Sequence, residues 1–171
     1  GAVLQFHGLC KEKNLDLERR LAQLEATLTP AEGDYPDLLR ELRAARADQM
    51  LSRSGSPDML VRNTDVLLQL LGPDAKTPYD VQVRLNAAGL YEALGDQVAA
   101  EGRGIIRTDA LKMREARVHY QTGLRFIVSS HAWLQRTPVS PRAAPDVERI
   151  TQKIRETNSL INGISLPFTD G

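Results

Sequence analysis

Leu17, Leu21, Leu24 and Leu28 follow one another at intervals of 4, 3 and 4 residues. An α-helix turns once in about 3.6 residues, so this spacing lays all four side chains along one face, whereas a strand would divide them between two. The same period recurs in Leu38, Leu39, Leu42, Ala45, Met50 and Leu51, in Leu60, Val61, Thr64, Leu67, Leu68 and Leu71, and in Val81, Leu85, Ala88 and Leu94. No segment alternates apolar and polar residues in the manner of a strand. Leu and Ala supply most of the apolar content while aromatics make up only 5%, a supply that suits helix packing better than sheets. The predicted fold class is all-α, with about six helices.

The punctuation between these stripes agrees. Asn14 or Asp16 can cap the first helix, and Thr29-Pro30-Ala31-Glu32-Gly33 breaks the chain after it. Tyr35-Pro36 opens a second helix that stops at Ser54-Gly55. Ser56-Pro57-Asp58-Met59 opens a third that ends at Gly72-Pro73, and Thr77-Pro78-Tyr79-Asp80 opens a fourth. Gly95, Gly102 and Gly104 each cost a helix about 1 kcal/mol relative to Ala, so the fourth helix is expected to stop at about Gly95, with 96–107 a loop or a frayed extension. Thr108-Asp109 then caps a fifth helix through Trp133. The resulting plan is one helical domain over 1–171. It has a flexible N-terminus at 1–13, three helices in 14–73, two more in 78–135 around a loop at 96–107, a Pro-rich connector at 136–145, a C-terminal helix at 146–163, and a tail at 164–171 that could dock on the surface.

Lys plus Arg and Asp plus Glu both number 22. A nucleic-acid partner is therefore not expected, because phosphate recognition ordinarily shows as a basic excess. Arg40 to Arg53 is the densest basic stretch, and Glu41 and Asp48 interrupt it. Cys10 is the single cysteine, which rules out an intramolecular disulfide or a multi-cysteine zinc site. No run approaches the roughly 18 to 20 apolar residues of a membrane span. The chain opens on Gly1 in place of Met, so an upstream signal or lipid anchor stays an open question, and the compartment with it.

An internal repeat bears on the fold more than any single residue does. At an offset of 40, Ala47 falls on Ala87, Leu51 on Tyr91 and Gly55 on Gly95, each glycine being read as the end of a helix. In Asn86-Ala87-Ala88-Gly89-Leu90-Tyr91-Glu92-Ala93-Leu94-Gly95-Asp96 and Arg114-Glu115-Ala116-Arg117-Val118-His119-Tyr120-Gln121-Thr122-Gly123-Leu124, small and aromatic residues fall where two antiparallel helices would approach closely. This resembles the tetratricopeptide repeat, a helical hairpin of roughly 34 residues, over at most Ala44 to Ile127. The match departs from that family in three ways. No Trp opens either first helix, about sixteen extra residues follow Gly95 by the family's spacing, and Leu60, Thr64 and Leu67 are a degenerate second helix. The resemblance implies antiparallel hairpins in a right-handed stack; without it, the helices form a bundle.

The chemistry looked for is not found. His7, His119 and His131 lack the i, i+4 spacing of a helical zinc site. Gly102-Arg103-Gly104 is neither a phosphate loop nor a dinucleotide fingerprint. Ser129-Ser130-His131 is adjacency in sequence, whereas a hydrolase triad is assembled in space. Glu18 and Glu25 read as solvent-facing carboxylates, and Met50, Met59 and Met113 as core filler. No cofactor or catalytic residue is expected. The resemblance implies instead an adaptor or scaffold whose concave face holds a protein or peptide. Its candidate contact residues are Arg43, Arg46, Gln49, Arg84, Asn86 and Tyr91, with Tyr91 alternatively in the core. Trp133 is a possible anchor, and a homo-oligomer is also possible. The rival expectation is a helical bundle, enzymatic or ligand-binding, with a small-molecule cavity between its helices.

Overall fold

The computed structural model describes residues 15–31, 33–104, 107–136 and 143–169. Side chains 15, 31, 131–136, 143–145 and 164–169 are outside the description. The described residues hold six α-helices, one short 3-10 turn (Thr29–Ala31) and no strand: α1 (Leu15–Leu28), α2 (Pro36–Arg53), α3 (Pro57–Leu71), α4 (Pro78–Gly102), α5 (Ala110–Arg136) and α6 (Ala143–Thr169). The all-α expectation holds. The chain divides into two compact units, Gly1–Val83 and Arg84–Gly171, where a single domain was expected.

In the first unit the leucine stripe behaves as its spacing requires. Leu17 and Leu21 are buried against Leu42 and Ala45, with Leu24, Leu28 and Tyr79 packed around them. Pro36 starts α2, where its missing N–H costs nothing and its fixed φ is already helical. Leu39, Ala44, Ala47 and Leu51 complete the buried positions of that helix. Ser54 ends it, with Oγ donating to the carbonyl of Met50. The Ser56 Oγ accepts from the Met59 N–H at the start of α3. Gly72 ends α3 at φ +73°, a conformation that costs a side chain-bearing residue energy. At the head of α4, Thr77 Oγ1 accepts from the Asp80 N–H, and Asp80 Oδ2 accepts from the Lys76 N–H. The caps anticipated at Ser56 and Thr77 are thus formed, whereas Tyr35 at the head of α2 makes no side-chain cap bond and Asn14 lies outside the described residues.

The second unit corrects the expected loop at 96–107. Helix α4 runs on to Gly102, so Gly95 is an interior residue and not a corner. The glycines are tolerated because α5 lies against them. A Cβ on Gly95 would sit 2.5 Å from Tyr120 Cε1, one on Gly102 would sit 2.7 Å from Met113 Cε, and one on Gly123 would sit 3.2 Å from the carbonyl oxygen of Ala88. These three contacts fix an antiparallel hairpin whose helices approach closely where side chains are missing. The turn is short. Arg103 bridges to Thr108, the Asp109 N–H donates to the Gly102 carbonyl, and Asp109 Oδ1 caps α5 by accepting from the N–H groups of Leu111 and Lys112. Helix α6 packs on α5, with Ile150, Thr157 and Ile161 buried and Arg117 donating to Asn158 Oδ1.

Two further boundaries differ from expectation. Helix α6 continues through Gly163 to Thr169, beyond the predicted end at 163. Gly163 does not take the positive φ of a helix-ending glycine. Of the connector predicted at 136–145, Arg136 and residues 143–145 are helical, while 137–142, like the predicted N-terminus at 1–13 and the last two residues, lie outside the described residues.

Candidate functional site

Sequence placed the contact residues on the first helix of each hairpin, and the structure separates them. Arg43 and Arg46 both reach Glu25 on α1 (Arg43 Nε to Oε1 at 3.2 Å), so their charge is spent inside the first unit. Glu25 is therefore not the solvent-facing carboxylate expected, and Glu18 likewise pairs with Arg53. Gln49 is half-buried. Arg84 is 1% exposed and donates to Ser129 Oγ at 2.8 Å. Tyr91 is buried too, stacked on Phe126 with ring centroids 5.7 Å apart. Neither can line an open face, because the side of α4 that carries them is the side packed on α5. Asn86 is exposed. The backbone of Trp133 is in α5, and its side chain lies outside the description. Of the three methionines read as core, Met113 is buried, Met50 half-buried and Met59 exposed.

A charged network that the sequence reading missed ties α4 to α6. Glu92 accepts from Arg149 Nε at 2.6 Å and from Lys153 Nζ at 3.2 Å, and Lys153 also reaches Asp96 at 2.9 Å. Tyr120 on α5 donates its hydroxyl to Asp96 Oδ1 at 2.6 Å. Arg149 holds the Glu92 carboxyl below the ordinary carboxylate value despite burial. Burial disfavours the Lys153 cation, but the carboxylates of Asp96 and Glu92 outweigh it and its pKa rises. Burial, then Asp96, push the Tyr120 phenol upward, so it stays protonated. Each of these groups is partnered, so the network's role is to orient α6. Its sequence signal was the matched i, i+4 spacing of Glu92 with Asp96 and of Arg149 with Lys153.

His119 is different. It is buried, its Nε2 has no hydrogen-bond partner among the described residues, and Glu115 Oε1 stands 3.7 Å away. Burial holds its pKa below the ordinary 6.5, against the opposing pull of Glu115. No cluster of three or more His, Cys, Asp or Glu side chains suited to a metal occurs among the described residues.

An open cavity of about 450 Å³ lies between Arg103 and the α6 residues Gln152, Arg155, Glu156, Ser159 and Leu160. Leu160 is the single apolar residue in that lining, whereas sites for small organic ligands are mostly apolar and enclosed.

The remaining surface of note is the outward side of α5. Leu111, Val118 and Val128 are 73%, 53% and 55% exposed. Arg114, Gln121 and Arg125 share their arc of the helix, and neither arginine has an acidic partner among the described residues. Glu115 stands at the edge of that arc, its charge engaged by Lys112. No described helix is long and apolar enough to cross a membrane. Compared with models of protein families, with curated proteins and with solved structures, the chain matches none.

Proposed function

We propose that this chain is a non-catalytic protein–protein interaction domain, an adaptor or scaffold built on helical hairpins of tetratricopeptide-like character. The observation that carries the reading is the outward face of α5. An apolar residue standing alone on a surface needs no explanation. Three large aliphatic side chains on one arc, interleaved with two guanidiniums that have no acidic partner among the described residues, have the composition of a contact surface, where Arg is enriched and most other charges are depleted. The small-residue contacts of Ala88, Gly95 and Gly123 support the hairpin part of the reading, while the interior position of Gly95 departs from the repeat pattern. Relative to the sequence-based expectation, the working face moves from the first helix of the hairpin to the second.

A photo-crosslinking residue at Gln121 tests this, with Val118→Asp as the control. The expected result is a protein crosslink that disappears in Val118→Asp while the circular dichroism and melting curve stay unchanged. Equal crosslinking in both, together with a melting point raised by members of a small-molecule library, would replace the reading with that of a ligand-binding bundle.

A further inference from the structure

The formal neutrality of the chain hides a division. Residues 1–83 hold 10 Lys and Arg against 13 Asp and Glu, and residues 84–171 hold 12 against 9, so one compact unit carries −3 and the other +3. The division is matched on two exposed helix faces. On α3, in the acidic unit, Met59, Val61 and Val66 are exposed beside Asp58, Arg62 and Asp65. Neither aspartate has a basic partner among the described residues. On α5, in the basic unit, Leu111, Val118 and Val128 are exposed beside Arg114 and Arg125. Each face thus offers three large apolar side chains and two charges of opposite sign with no ion-pair partner among the described residues, although the α3 face also carries Arg62, so its net charge is −1 against +2 on α5.

We infer that the protein self-associates, the α3 face of one copy seating on the α5 face of another. The inference rests on the interaction-domain reading and names its partner as a second copy of the chain. Three considerations favour this occupant. Copies with zero net charge do not repel one another at a distance, so the local attraction of the two faces is unopposed. Asp58 and Asp65 are about 10 Å apart along α3 and Arg114 and Arg125 about 16 Å apart along α5, at about 1.5 Å per residue. The difference of about 6 Å falls within the length of an arginine side chain, so both pairs can form in one contact. Both faces also carry exposed aliphatic side chains beside their charges, so docking removes aliphatic surface from water while the ion pairs set register and suppress mismatched pairings. Because the two surfaces differ, each contact is heterologous: two copies can close with a pair of such contacts, or further copies can add.

Sedimentation equilibrium of the full chain over a broad dilution series tests this at low salt and at about 1 M salt, where the screening length falls to about 3 Å. The variants are Arg114→Glu with Arg125→Glu, and Asp58→Lys with Asp65→Lys, each checked for helix content. The wild type is expected to associate, more weakly at high salt. Each reversed variant alone presents like charges and should associate roughly tenfold or more weakly. An equimolar mixture of the two should recover association, because each α3 again finds an α5 of opposite sign. A wild type that stays monomeric throughout, association indifferent to both reversals, or a mixture that fails to recover would each overturn the inference. A monomer whose Gln121 position still crosslinks to a different protein would overturn self-association and leave the interaction-domain reading standing. A monomer with no crosslink would remove both.

Discussion

Gly89 and Gly95 both lie inside α4, yet replacing each with alanine is expected to move stability in opposite directions. At either site alanine brings a helix-propensity gain of about 1 kcal/mol. Around Gly89 the new methyl meets nothing within 4 Å, so Gly89→Ala should stabilise by up to about 1 kcal/mol. At Gly95 the methyl would lie 2.5 and 2.6 Å from Cε1 and Cδ1 of Tyr120. That is about 1 Å inside the shortest favourable carbon–carbon separation of roughly 3.5 Å. The ring has to move by about that much, and it is tethered: its hydroxyl donates to Asp96 at 2.6 Å, and Lys153 Nζ stands 5.9 Å from its centroid. Overpacking of this kind costs about 1–3 kcal/mol. Stretching a hydrogen bond to a charged acceptor forfeits part of a further 1.5–3 kcal/mol or so. After the propensity gain is set against these, Gly95→Ala should destabilise by about 1–3 kcal/mol. Urea denaturation followed by circular dichroism measures both variants against the wild type. A Gly95→Ala midpoint at or above that of the wild type would mean that α4 and α5 do not approach at this point, and the packing account of the hairpin would fail.

Ala87→Arg is expected to cost upwards of about 2 kcal/mol, since Ala87 is fully buried and a long cation there either overpacks or is left unpaired. Glu25→Ala should cost about 1 kcal/mol, because it strips the shared acceptor from Arg43 and Arg46. Equal denaturation midpoints for these two variants would contradict the assigned burial. His119 bears on pH. Its folded pKa lies below the ordinary 6.5, so the unfolded chain takes up the proton first. Its stabilising contribution is complete above pH 6.5 and is lost as pH falls through the folded value. The stability of His119→Leu should consequently fall less than that of the wild type between about pH 7 and pH 5, and an equal fall would show that His119 is not the group being titrated.

The helices were legible because their signals are local. Capping residues at Ser56, Thr77 and Asp109 act within a turn, and the stripe from Leu17 to Leu28 reports its own buried face. Helix α4 was harder. Its buried residues, including Val83, Ala87, Ala88, Tyr91 and Gly95, occupy one half of its circumference, but Asp80, Arg84 and Glu92 are buried among them while Leu90 is exposed on the other side, so hydropathy does not announce that face. Its glycines read as breakers because propensity counts only the helix that contains them, whereas their tolerance depends on a ring arriving from α5. For the candidate surface, sequence supplied the residue types but not their direction. Arg84 and Asn86 are two residues apart, and the first is sealed inside while the second is exposed. Arg43 and Arg46 looked available until Glu25, on another helix, was found to hold them.

The nested contacts of the α4–α5 hairpin also set an order for folding. Gly102 meets Met113 beside the turn, Gly95 meets Tyr120 farther out, and Ala88 meets Gly123 beyond that. Each contact made shortens the loop that the next must close, so the ordering entropy is met in small instalments and the hairpin can zip outward from Asp109. Docking of α6 has no such staircase. The link from Glu92 to Arg149 spans 57 residues and forms between helices that have to be largely complete before the ions can meet. The expected sequence of events is a fast hairpin followed by slower capture of α6, with the ion network closing last.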